Sequence, residues 1–194
     1  VTYRMMHHLL TYLRSLAPLS DESWQLLQPA LKRKQVAKNE LLLKEGAVCQ
    51  SLYFIEKGYC RSYYLADGLE KNTGFFFEND IATNISSFGS GQPSEYFIAA
   101  GEPLEVIVFD KQRLLEAGKK APEIETAGRC CIRLFASKQE AFSSLFQLYT
   151  AKERLAAIEE RYPFMLQRVP LTQLASFLGV ARETLSRIRS RRHL

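Results

Sequence analysis

The densest group of chemically capable side chains lies near the carboxyl end. Arg182, Glu183, Ser186 and Arg187 recur at i, i+1, i+4 and i+5, a spacing that places them on one side of a helix. Arginine can donate two hydrogen bonds to guanine, and glutamate can accept from cytosine N4. The charge around them is one-ended. Residues 1–149 hold 17 Lys/Arg and 17 Asp/Glu, whereas residues 150–194 hold 9 and 4, so the whole net charge of +5 sits in the last stretch. Arg182, Arg187, Arg189, Arg191 and Arg192 face only Glu183 there. Such a distribution suits a polyanion, because each cation near a phosphate releases a condensed counterion. By charge alone, a solvated basic tail would look the same.

Other chemistries lack their residues. The histidines are His7, His8 and His193, with none in the middle of the chain, and His7 and His8 are expected on an exposed helix end. Cys49, Cys60, Cys130 and Cys131 form no Cys-x-x-Cys pair, and an iron–sulfur cluster needs about four suitably placed thiolates. No Ser-His-Asp or Cys-His arrangement is suggested. The expectation is therefore no catalytic residue, no metal site, no cofactor and no enzyme; a cupin-like enzyme would need histidines in its strands. Four cysteines in 194 residues fit a reduced, cytoplasmic setting better than a disulfide framework. Cys130 and Cys131 read as small apolar helix residues, with oxidant sensing as the alternative. The apolar fraction of 46% and charged fraction of 24% are those of a soluble globular protein. No apolar run approaches the roughly 18–20 residues of a membrane span, and Arg4, His7, His8 and Arg14 break up anything resembling a secretory leader.

The elements that would carry these residues follow from periodicity. Met5, Met6, Leu9, Leu10, Leu13 and Leu16 predict an amino-terminal helix stopped by Pro18, and Ser20 caps a second short one that ends near Pro29. From about Lys34 to Phe109 short β-branched and aromatic runs alternate with turn signals such as Lys57-Gly58 and Ala66-Asp67-Gly68. Seven or more strands at that spacing predict an antiparallel roll or barrel. Asp110 can cap a short helix, and Pro122 opens one with no breaker until Tyr149, roughly 25 residues or about 40 Å. That exceeds the needs of one small core, so a shared dimer helix is expected. Thr150-Ala-Lys-Glu153 is a capping box opening the next helix, which Pro163 ends.

The stretch from Val169 to Ile188 then has helix-turn-helix spacing. Leu171, Leu174, Ala175 and Leu178 make one apolar face, Gly179 and Val180 the turn, and Leu185 and Ile188 the inner face of a second helix over 182–191. A generic helical hairpin with a charged face is the plainer alternative. Here the sequence resembles the Crp/Fnr family of bacterial transcription regulators, whose recognition helix often carries the pattern seen in Arg182-Glu183-Thr184-Leu185-Ser186-Arg187. The order of elements matches that family throughout. The resemblance implies an α+β chain: an antiparallel β-roll of the cyclic-nucleotide-binding kind over 1–120, a dimerisation helix over 121–149 and a DNA-binding helix-turn-helix over 150–194. It implies a homodimer on a two-fold symmetric double-stranded DNA site. Arg182, Glu183, Ser186 and Arg187 would read bases, Thr172, Arg189, Arg191 and Arg192 would hold phosphates, and RNA polymerase would be a further partner. The family's two-stranded wing is not expected within 194 residues; the basic end would substitute, as in shorter members.

Cyclic-nucleotide members of the family use a Gly-Glu pair for ribose and an Arg followed by a small hydroxyl residue for phosphate. An ungapped alignment puts Thr83-Asn84 and Ser94-Glu95 at those positions. A buried phosphate would lose its cation and gain a carboxylate, which costs several kcal/mol, so tight cAMP or cGMP binding is not expected. The remaining candidate effector pocket is Thr83, Asn84, Ser86, Ser87, Ser94, Glu95 and Tyr96, with Arg129 and Arg133 approaching from the long helix. The competing reading is a ligand-sensing or scaffold module that acts through protein partners without specific DNA binding.

Overall fold

The computed structural model describes the backbone of residues 6–190 and the side chains through 187. Two short helices come first, α1 (His7–Leu16) and α2 (Asp21–Leu27). Leu9, Leu10 and Leu13 make the buried face of α1, and the Ser20 hydroxyl accepts the Ser23 N–H to cap α2, as its residue type predicts. Pro29 lies in a 3₁₀ turn that leads into the strands.

The strand region is the expected roll. It comprises β1 (Leu31–Val36), β2 (Leu41–Leu43), β3 (Ser51–Lys57), β4 (Cys60–Ala66), β5 (Leu69–Phe76), β6 (Ile81–Ala82), β7 (Phe97–Ala100) and β8 (Leu104–Asp110). They form two four-stranded sheets, ordered β1-β8-β3-β6 and β2-β7-β4-β5. β8 pairs antiparallel with β1 from Leu31↔Phe109 to Val36↔Leu104 and with β3 on its other edge, where Phe54 faces Ile107. One helix in this region has no periodic signature: α3 (Ile85–Ser90) is six residues long, rich in serine and glycine, and capped by Asn84.

After the roll come α4 (Lys111–Lys120), capped by Asp110, and α5 (Pro122–Leu148), 27 residues long. α6 (Ala151–Arg161), α7 (Pro163–Arg168), α8 (Leu171–Leu178) and α9 (Arg182–Ser190) complete the described chain. The Thr150–Glu153 capping box is present in full. Pro170 stands at the N-cap of α8 and not in its first turn.

The chain divides into two compact units, residues 1–62 with 75–136, and residues 63–74 with 137–194. In the first, strand alternation sends β3 side chains to two different cores. Leu52 and Phe54 join α1, α2, Phe109 and Ile124 on one face of the sheet, while Tyr53 and Ile55 turn inward with Val36, Ile98 and Val106. Gly101 admits no larger residue, because a Cβ there would collide with the Tyr59 ring. In the second unit the core is Phe142, Leu145, Leu155, Ile158, Met165, Leu174, Phe177 and Leu185. Phe177 packs edge-on against both Phe142 and Phe146, with ring centroids 5.3 Å apart in each case.

Candidate nucleic-acid interface and effector region

α8 and α9 are joined by Gly179, Val180 and Ala181. Gly179 has φ +71°, the left-handed conformation a tight helix exit requires, and the Val180 N–H returns to the Ala175 carbonyl at 3.0 Å. Leu174, Ala175 and Leu178 bury one face of α8, and Leu185, fully buried, anchors α9 on them. That anchor leaves Arg182, Glu183, Ser186 and Arg187 exposed together on α9. Thr172 is exposed in the first turn of α8, where no side chain caps the helix. The side chains of Ile188 and Arg189, and all of Arg191 and Arg192, lie outside the described residues.

Two residues that sequence reasoning did not single out organise this unit. Arg154 donates from Nε to the Leu145 and Tyr149 carbonyls, from Nη2 to Phe146 and from Nη1 to Leu178, and it lies over the Phe146 ring. One guanidinium thus closes the carbonyl ends of both α5 and α8, where a cation is favoured by the helix dipole. Ser176, on α8, donates to the Glu70 carbonyl at 2.8 Å and accepts the Asn72 N–H at 3.0 Å, which ties the tip of the β4–β5 hairpin to the helix. Each bond joins residues more than 100 positions apart, so no local pattern announces it.

In the first unit the polar residues of the candidate effector pocket are occupied with one another. Asn84 Oδ1 accepts the Ser87 N–H, and Asn84 Nδ2 donates to Ser94 Oγ at 2.9 Å. Ser94 Oγ in turn donates to the Tyr96 carbonyl, and Ser87 Oγ takes the Cys49 N–H while donating to the Gln92 carbonyl. Tyr96 donates to the Thr83 carbonyl at 3.3 Å. Thr83, Asn84, Ser87 and Ser94 are all buried. Ser86 and Glu95 are exposed, so the Glu95 carboxylate does not intrude on the pocket as the alignment suggested. Ser94 still stands where the family pattern has an arginine. Arg129 and Arg133 are not brought to these hydroxyls. Arg129 bonds Thr126 and reaches Glu125 at 3.4 Å, and Arg133 turns to Cys130 Sγ. Sequence reasoning also missed a buried cation, Arg61 on β4, which is 6% exposed.

Among the described residues no group of three or more His, Cys, Asp or Glu could hold a metal ion. All four cysteines are free thiols. Burial, and then the neighbouring Cys130, pushes the Cys131 thiol up to about 11, which keeps it protonated and poorly nucleophilic near neutral pH.

Residues 33–120 match the model of the cyclic nucleotide-binding domain family. The chain is similar to the Crp/Fnr group of regulators that carry this domain. Its relatives include the anaerobic regulatory protein of Aggregatibacter actinomycetemcomitans, 28% identical over 173 residues, covering 82% of this chain and 66% of that protein. The fumarate and nitrate reduction regulatory protein of Escherichia coli K12 is 28% identical over 176 residues, covering 82% and 68%. The chain therefore spans about two thirds of the length of these curated relatives. Among solved structures, FixK2 from Bradyrhizobium japonicum superposes with a TM-score of 0.69 at 20% identity, covering 84% of each chain. The c-di-GMP responsive regulator CLP of Xanthomonas campestris gives 0.69 at 15%, covering 90% of this chain and 92% of its own. The Crp/Fnr fold is thus present from the roll through the terminal helices. Both curated relatives are named as regulators, not enzymes, and no described helix is long and apolar enough to cross a membrane.

Proposed function

We propose that this chain is a DNA-binding transcription regulator of the Crp/Fnr type that works as a homodimer. The observation that carries the reading is the surface of α9: Arg182, Glu183, Ser186 and Arg187 are exposed together on a helix whose Leu185 is fully buried. A helix held that rigidly can present side chains to base edges in a major groove. Thr172 at the uncapped start of α8 is suited to a phosphate, and Arg189, Arg191 and Arg192 extend the basic end as a clamp. α5 is the dimer helix in this proposal. Its 27 residues carry the half-exposed apolar side chain Leu134, and two copies closed on it would set two α9 helices about 34 Å apart on DNA. The functional domains in this reading are 1–120, 121–149 and 150–194, in a cytoplasmic protein that also meets RNA polymerase.

The roll keeps the family fold without the family's phosphate chemistry. Ser94 already spends its hydroxyl on the Tyr96 carbonyl, and Arg129 and Arg133 bond elsewhere. A cyclic phosphate there would meet a serine where the family pattern has an arginine, so tight cAMP or cGMP binding is not expected. Calorimetry showing micromolar or tighter cAMP affinity would overturn this. The decisive experiment for the whole reading is selection of bound sequences from random duplexes by the purified protein. A two-fold symmetric consensus is expected. Absence of DNA retention even at low salt would favour a module acting through protein partners.

A further inference from the structure

The first unit holds a cavity of about 540 Å³ lined by Leu52, Ile81 and Phe109, which belong to the core shared with α1, α2 and α4. Phe88 and Phe135, which pack against the inner core of the roll, line it too, and it touches the cassette at Thr83. α5 and α3 supply the other walls. The volume is that of pockets which take small organic ligands, about 300–1,000 Å³. Its lining contrasts with the cassette described above. There the polar groups are satisfied internally; here the walls are almost wholly aliphatic and aromatic. Among the described lining residues, charge enters only at the rim, through Arg129 and Glu125 of α5.

We propose that this cavity, and not the cassette inside the roll, is the ligand site of the chain, and that it takes an acyl carboxylate whose apolar chain fills the cavity and whose anionic end meets Arg129. Arg129 is the one cation among the described lining residues. Its partners are a Thr126 hydroxyl at 3.0 Å and the exposed Glu125 carboxylate at the long distance of 3.4 Å. A guanidinium has five N–H donors, so most of its capacity is uncommitted. Lys111, which lies 5.2 Å from the centre of the lining Phe88 ring, adds a second positive charge near the wall. A bound carboxylate would replace a weak, solvent-screened contact with a two-pronged one. The proposal goes beyond DNA reading, and its test contains no DNA, so the two can fail separately.

Two glycines allow that test without damage to the fold. Gly128 on α5 and Gly89 on α3 both line the cavity, and a Cβ at either would meet nothing within 4 Å. Gly128→Leu and Gly89→Leu fill the space from independent walls, and both replace a helical glycine with a better helix former. The full chain is titrated with cis-parinaric acid, which fluoresces in apolar sites, and then with dodecanoate and dodecanol as displacers. The expected result is one saturable site per chain, with dodecanoate displacing at least tenfold better than dodecanol. Each leucine variant should lose tenfold or more in dodecanoate affinity with its melting temperature retained, and Arg129→Gln should remove the preference for the acid. Absence of saturable binding, or unchanged affinity in both leucine variants, would overturn the site. Equal displacement by acid and alcohol in the parent protein would overturn the role of Arg129.

Discussion

In the proposed function Arg182 and Thr172 would ask different things of the same duplex. Arg182 projects from the first turn of α9 and is suited to a base edge, so Arg182→Ala should cost about 1–3 kcal/mol on the selected site and relax the preference at one base pair. Thr172, in the first turn of α8, is suited to phosphate, so Thr172→Ala should weaken specific and random DNA alike. Binding isotherms on both duplexes separate the roles, and identical behaviour of the two variants would refute the assignment. A third residue acts on stability. Glu123 of α5 accepts the Ser20 N–H at 2.8 Å and the Ser20 hydroxyl at 2.7 Å, which links α5 to the cap of α2. Hydrogen bonds from the Ser23 hydroxyl, the Ser20 amide and the Ser20 hydroxyl hold its carboxyl down at about 2, against 4.5 ordinarily. A depressed carboxyl stabilises the fold above its unfolded value and loses that contribution as the proton returns. Urea unfolding should therefore show a stability loss between pH 4.5 and 2, and Glu123→Gln should flatten that segment of the profile.

At the scale of elements, Arg154 is the joint of the carboxyl-terminal unit. It donates to four carbonyls from the ends of two helices. Hydrogen bonds to a charged group contribute about 1.5–3 kcal/mol each when intact, and several share one side chain here, so Arg154→Ala should destabilise by about 2–4 kcal/mol. Arg154→Lys should recover only part, because an ammonium cannot span carbonyls that a planar guanidinium reaches together. Urea titration followed by helical circular dichroism reads both. The contrast between Arg154 and its neighbours shows what a sequence discloses. The Thr150–Glu153 box, the Asp110 cap, the Pro122 start and the Gly179 exit are local devices that act within a few residues, and each is visible in the order of residue types. Arg154 to Leu178, Ser176 to Glu70 and Glu123 to Ser20 join distant segments, and only the folded chain brings them together. α3 is hidden for another reason: its six residues have no apolar period, and its cap, Asn84, is of a residue type that fits a ligand contact equally well. The exposed α9 face was legible because helical spacing and the buried Leu185 together determine it. The state of the effector region was not, because whether Ser94 and Asn84 satisfy each other is a matter of distance.

For the whole molecule, the net charge of +5 in residues 150–194 and the balance elsewhere separate the tasks of the chain. In the proposed reading the carboxyl end approaches a polyanion, and the remainder carries no net attraction to it. A single α9 of nine residues can cover only a few base pairs, so useful specificity on a genome would require two copies on one site. The proposed dimer helix would then control DNA affinity without touching DNA. Leu134, 45% exposed on α5 and not among the cavity's lining residues, is the position to test, since an exposed residue can be changed without opening a core. Leu134→Glu would set two carboxylates near each other in a two-fold interface, where like charge and desolvation both oppose association. Sedimentation should show the parent as a dimer and the variant as a monomer, with unchanged helical circular dichroism. Binding to the full symmetric site should fall at least tenfold, whereas binding to an isolated half-site should hardly change. Its salt dependence should match the parent's on that half-site, since the phosphate contacts per copy are the same. A variant that stays dimeric, or a monomer that binds the full site as tightly as the parent, would remove α5 from the role proposed for it.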